Sequence, residues 1–178
     1  EREDKTLVYL STRPLPRWGL FLAKVLGSVP VVLGIGLGTF LGICAAASLV
    51  GELPLLKVAW ALVPTVTFGV LAYLAFFSWL GAAFRNSTLL GVAYVFLVEF
   101  FMGSVPGVLK QVSISFYIRS MLYDAAGELG VSPRERRGIF QLELIEGSDA
   151  ALVLAAIAAG FLLLGMYWFS RREYRDLT

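Results

Sequence analysis

Of the 178 residues, 58% are hydrophobic and 16% charged, the net charge is +2, and the mean hydropathy is +0.77. Soluble domains hold roughly 45–50% apolar and about 25% charged residues, so a water-soluble core cannot hide this surplus and the membrane class follows. The small net charge, with basic residues in loops rather than a stripe, excludes a nucleic-acid partner.

The chain lacks histidine, which removes Ser-His-Asp and Cys-His catalysis and the His-bearing zinc motifs. Cys44 stands alone in an apolar run, so no internal disulfide is possible and the thiol reads as a small buried hydrophobe.

Residues 1–17 open with five charges, and Leu7 and Leu10 follow at a spacing that makes a short apolar stripe. Pro14 and Pro16 end that helix, since proline lacks an N–H and pushes its predecessor out of the α region. Arg17, Trp18 and Lys24 suit a membrane interface. By pattern alone the segment is either an interfacial anchor or a helix that meets a soluble partner.

Four membrane spans are predicted, at 18–50, 55–84, 88–109 and 148–170. In the first, Gly34, Gly38 and Gly42 recur every fourth residue, a small-residue face for close packing within the subunit or across a subunit interface. The Gly34-Ile-Gly36-Leu-Gly38 run is no dinucleotide site, because it lies inside a span with no strand before it. In the second span Thr65, Thr67 and Ser78 can bond back to their own helix. The brevity of the Arg85-Asn86-Ser87 connection makes the second and third spans antiparallel neighbours.

Glu99 stands at the centre of the third span among Tyr94, Phe96, Phe100 and Phe101. A carboxylate at that depth costs about 2.5–3.5 kcal/mol on insertion scales, so it must face protein or water. Two roles stay open: a hydrogen-bonded residue that fixes helix packing, or one that lines a translocation path or dimer seam.

Residues 110–147 are polar, yet Ile114, Ile118, Met121, Leu122, Ala125 and Leu129 trace one helical face. Gly130 reads as a stop. Ser132-Pro133-Arg134-Glu135 then starts a second helix with a capping box, ending at Gly147. The expectation is a pair of amphipathic helices on the extracytoplasmic surface. The last span opens with Ser148 as N-cap and repeats Ala151, Ala155 and Ala159, another packing face. Tyr167 and Trp168 form an aromatic belt, and residues 171–178 are a basic tail.

The order Thr6-Leu7, Leu10-Ser11-Thr12-Arg13-Pro14, Arg17 and Lys24 before a hydrophobic span resembles the coupling-helix region of type-2 ABC transporter permeases. The run from Tyr94 to Glu99, Val105-Pro106-Gly107, Ser113-Ile114-Ser115 and the closing Arg172-Glu173-Tyr174 resemble the same family. The resemblance implies an all-α polytopic bundle with a cytoplasmic coupling helix. That family places two further spans before this point, so an N-terminally incomplete chain is expected. Thr6, Leu7, Leu10, Arg13, Pro14 and Arg17 would contact a separate ABC ATP-binding subunit carrying ATP and Mg. The chain itself holds no cofactor and no metal, and a second permease copy or paralogue would complete a dimer.

Parity puts both ends on one side, and nine of the fifteen Lys and Arg fall there, favouring cytoplasmic ends in a bacterial or archaeal plasma membrane. No P-loop is present, so energy must come from a partner. Two other readings stand beside an exporter permease. One is a membrane-embedded enzyme or assembly factor using Glu99 or the Asp124, Glu128 and Glu135 carboxylates. The other is a structural or channel-like bundle. The substrate is not legible.

Overall fold

The computed structural model describes residues 17–50, 55–101, 113–128 and 145–171. All the regular structure among them is helical: α1 Arg17–Val50, α2 Leu55–Ala83, α3 Ser87–Tyr94 continued by a π-helix over Val95–Phe101, α4 Ile114–Glu128, and α5 Gly147–Arg171. The coupling segment before Arg17, the turn at 51–54, the Gly130 stop, the Ser132 capping box and the tail from 172 lie outside the described residues.

Three helices are long and apolar enough to cross a bilayer: α1 with 34 residues, α2 with 29 and α5 with 25. At 1.5 Å per residue even α5 reaches about 38 Å, more than the ~30 Å of hydrocarbon to be crossed. Pro30 and Pro64 lie inside α1 and α2 without ending them, as bilayer helices allow. Trp60, Leu49, Leu56 and Leu152 lie at least 70% exposed on the outer faces. Side chains of this kind all round a bundle fit an acyl-chain solvent, not water. The chain is a helical membrane protein.

The central element is α2, which packs against α1, α3, α4 and α5. Its inner face gives Ala72, Phe76 and Leu80 to a core completed by Ile114 and Met121 of α4 and Ala150 and Leu154 of α5. Phe76 touches Tyr94 and Phe161 with ring centroids 4.2 and 5.0 Å away. A smaller cluster joins Phe21 and Val25 of α1 to Ala82, with Leu162, Met166 and Phe169 of α5 around it. The pairings fix direction. α1 runs antiparallel to α2, with Val25 near Ala82 and Gly36 against Val70, and α3 returns along α2 with Gly91 under Phe77.

The third predicted span, 88–109, is described as far as Phe101, with Ser87–Tyr94 widening into the π-helix at Val95, and 102–112 lie outside the described residues. Two expectations need revision. The first amphipathic helix does not lie apart on a surface, because α4 packs against α2 and α5. Its predicted face is buried at Ile114 and Met121, but Leu122 is exposed. Finally, Ser148 does not cap the last span, because it lies inside α5, while the helix predicted from Ser132 falls mostly outside the described residues. Gly147 starts α5 and donates its N–H to Asp124 Oδ2 at 3.2 Å.

At Gly165 a Cβ would run into the Phe21 ring, so glycine sets how closely α5 approaches α1. Gly165→Ala is expected to lose about 1–3 kcal/mol through overpacking, read as a lower unfolding midpoint in detergent. Adding Phe21→Val should recover part of the loss, whereas simply additive losses would contradict the contact.

Candidate functional site

The site forms where α3 ends and α4 begins. In an α-helix, side chains three and four apart are neighbours and those five apart diverge. The i→i+5 winding of Val95–Phe101 changes that spacing. It brings Glu99 onto the face of Tyr94, five residues earlier, and the Tyr94 hydroxyl donates to Glu99 Oε1 at 2.9 Å.

The other carboxylate oxygen meets the start of α4. Ser113 is wholly buried and donates its hydroxyl to Glu99 Oε2 at 2.7 Å. The Ser115 backbone N–H donates to the same oxygen at 3.3 Å. The two serine hydroxyls lie 2.8 Å apart. Ser113 has one hydroxyl proton and gives it to Glu99, so Ser115 supplies the proton between them. Tyr73, reaching across from α2, places a fourth side-chain hydroxyl beside the carboxylate.

Every one of these partners is a donor, which suits an ionised carboxylate. Glu99 therefore does for α4 what an N-cap side chain does locally. It takes an otherwise orphaned N–H and sets negative charge at the positive end of the helix dipole. The Phe116 N–H bonds the Ser113 carbonyl at 3.3 Å, so Ser113 is the residue from which the helix departs.

The site lies deep in the bundle. Ile118, one turn into α4, presses on Gly69, the midpoint of α2, where a Cβ would stand 2.9 Å from Ile118 Cδ1. Tyr73 lies one turn further along α2. The carboxylate thus sits near the middle of a span-length helix, well away from either end.

Of the residues singled out in the sequence, Glu99, Tyr94, Ser113 and Ser115 come together here. Thr6, Leu7, Leu10, Arg13 and Pro14 lie outside the described residues, and Arg17 begins α1. Gly34, Gly38 and Gly42 have nothing within 4 Å of where a Cβ would be, so that face is open among the described residues, and Gly36 is the glycine that meets α2. Ala155 and Ala159 are exposed, while Ala151 packs beside the main core. Cys44 is a buried free thiol. Tyr73 was not foreseen; its only signal was a polar-tipped ring in the middle of an apolar span.

Comparison with family models, with curated proteins and with solved structures gives no significant match.

Glu99→Leu removes the acceptor for Tyr94, Ser113 and the Ser115 N–H together. With about 1–3 kcal/mol for each buried donor left unpaired, the loss should reach several kcal/mol and lower the yield of folded protein. Tyr94→Phe should cost about 0.5–1.5 kcal/mol. In a cycle with Glu99→Gln, measured by unfolding in mixed micelles, the pair should couple by at least ~0.5 kcal/mol. Strict additivity would show that the bond carries no energy.

Proposed function

We propose that the chain is the permease subunit of an ATP-binding-cassette exporter, coupled to a separate ATPase subunit and paired with a second permease copy or paralogue. The observation that carries this reading is the helix N-terminus at Ser113 and Ile114, which begins at mid-span and faces the Glu99 carboxylate. Transporters build central sites from helix ends of this kind, because broken backbone at membrane depth is tolerated only inside protein or against a water-filled cavity.

Two features support it further. Ser87–Phe101 rises from the Arg85 turn to the depth of the Glu99 site. α4 continues from the same depth toward the start of α5, so in this reading the two segments share the third crossing and four crossings return both ends to the cytoplasmic side. The resemblance at Thr6, Leu7, Leu10, Arg13, Pro14 and Arg17 supplies the ABC assignment, with ATP and Mg held by the partner. Nucleotide-driven closure would move that foot and, through α1 and the central α2, tilt the half-helices against each other. ATP would act only by differential contacts in two states.

Glu99 serves as a strut in this scheme, not as a general base. Both of its oxygens already accept hydrogen bonds, which weakens the reading as a membrane-embedded enzyme.

Leu10→Asp should abolish co-purification of an ABC ATPase from the native membrane while leaving the permease folded and inserted. Undiminished co-purification would contradict the docking role.

A further inference from the structure

Glu99 holds the start of α4 only while it is ionised. Tyr94 and Ser113 donate hydroxyl protons to its two oxygens, the Ser115 N–H donates to Oε2, and Tyr73 sets another hydroxyl alongside. A proton on either oxygen would point at a group that already donates. The serines have no room for it as they stand, because Ser113 gives its hydrogen to Glu99 and Ser115 gives its own to Ser113.

Neutralising the carboxylate also removes the charge that meets the positive end of the α4 dipole. One gain opposes these losses: a neutral acid costs far less than a charge inside an apolar bundle. Opposed terms thus meet at a single carboxyl, which is how a local charge change biases a two-state element. Glu99 and Ser115 are each partly exposed, so the carboxyl is reached from outside the bundle with no helix displaced.

Few charged or titratable groups surround it. Tyr73 faces it from α2 and Tyr94 from α3. On α4, Arg119 stands one turn beyond Ser115, and its charge is felt at Tyr73. Asp124 lies further along α4 at the junction with α5, where Asp149 also stands. Lys110 lies outside the described residues, so it enters the experiment as a variant.

We propose that Glu99 is a proton-operated latch: uptake of one proton frees the first turn of α4 from α3, and its loss closes the contact again. The ligand is a proton and not a metal ion, because the groups around the carboxylate turn hydrogens toward it. The grip belongs to the ionised form, so it is complete at higher pH and lost as pH falls. The inference stands apart from the exporter reading and needs no ATPase.

The test follows the full chain in lipid nanodiscs from about pH 8 to about pH 4, a range that spans ordinary carboxyl titration. Two readouts are taken: the ¹³C shift of the Glu99 carboxyl, and amide hydrogen exchange corrected for its intrinsic pH dependence. As the Glu99 signal moves to its protonated position, protection at Ser115 to Tyr117 should fall about tenfold or more, the scale of losing a hydrogen bond to a charged group. Ala72 to Phe76 of α2 should keep their protection over the same range. Glu99→Gln should show the low protection of the open latch at every pH, while Lys110→Gln and Asp124→Asn should leave the response at Ser115 in place. Protection at Ser115 that stays constant while Glu99 takes its proton would overturn the proposal. So would a Glu99 that keeps its charge until α2 unfolds with α4, or a response that Lys110→Gln abolishes. The wild-type titration decides even where Glu99→Gln fails to fold.

Discussion

A carboxylate placed near the middle of an apolar bundle has to be satisfied by its own chain, and that requirement organises this structure. Glu99 meets it with a tyrosine one π-turn behind, a serine hydroxyl, a backbone N–H and a second tyrosine from α2. The partners come from three helices, so the bonds that satisfy the charge also fix where those helices stand. Remove the charge and the start of α4 loses its cap. Remove the π-winding and Glu99 no longer shares a face with Tyr94. The local departure from α geometry and the half-buried charge explain each other.

A second carboxylate repeats the logic nearer the end of the bundle. Asp124 of α4 accepts the N–H of Gly147, where α5 begins, and a side chain at 147 would collide with it. Among the described helices, each of the last two is therefore started by an acid from another helix, α4 by Glu99 and α5 by Asp124. Orphaned N–H groups at helix ends are costly without water, and an acidic side chain suits them better than a neutral one because it also meets the helix dipole. The series α3, α4, α5 is held end to end by these two contacts, while Phe76, Phe161 and Leu154 hold it side to side.

The long helices were legible because hydrophobicity over 25 residues or more leaves little choice. The second of them ends at Ala83, one residue from the limit read in the sequence. Glu99 was legible for the opposite reason, as the one acid in its span, yet its partners were not all visible. Ser113 and Ser115 lie beyond the span's predicted end, and Tyr73 belongs to another helix, so only folding brings them together. The π-helix left no mark, since Val95-Phe96-Leu97-Val98 suits either winding. The placement of α4 was misread because an amphipathic pattern states that one face is buried, not what buries it. Ser148 resembled an N-cap by residue type, but a distant Asp124 reached the helix end first. None of the described residues packs against the small-residue stripe at Gly34, Gly38 and Gly42.

The central claim is that Glu99 grips the start of α4 in the bilayer. It is tested most directly by solid-state magnetic resonance on protein in lipid, with ¹³C at the Glu99 carboxyl carbon and ¹⁵N at the Ser115 amide. The account predicts a through-space coupling consistent with the 3.3 Å separation of the Ser115 nitrogen and Glu99 Oε2. Folded, bilayer-inserted protein in which that coupling is missing would contradict it.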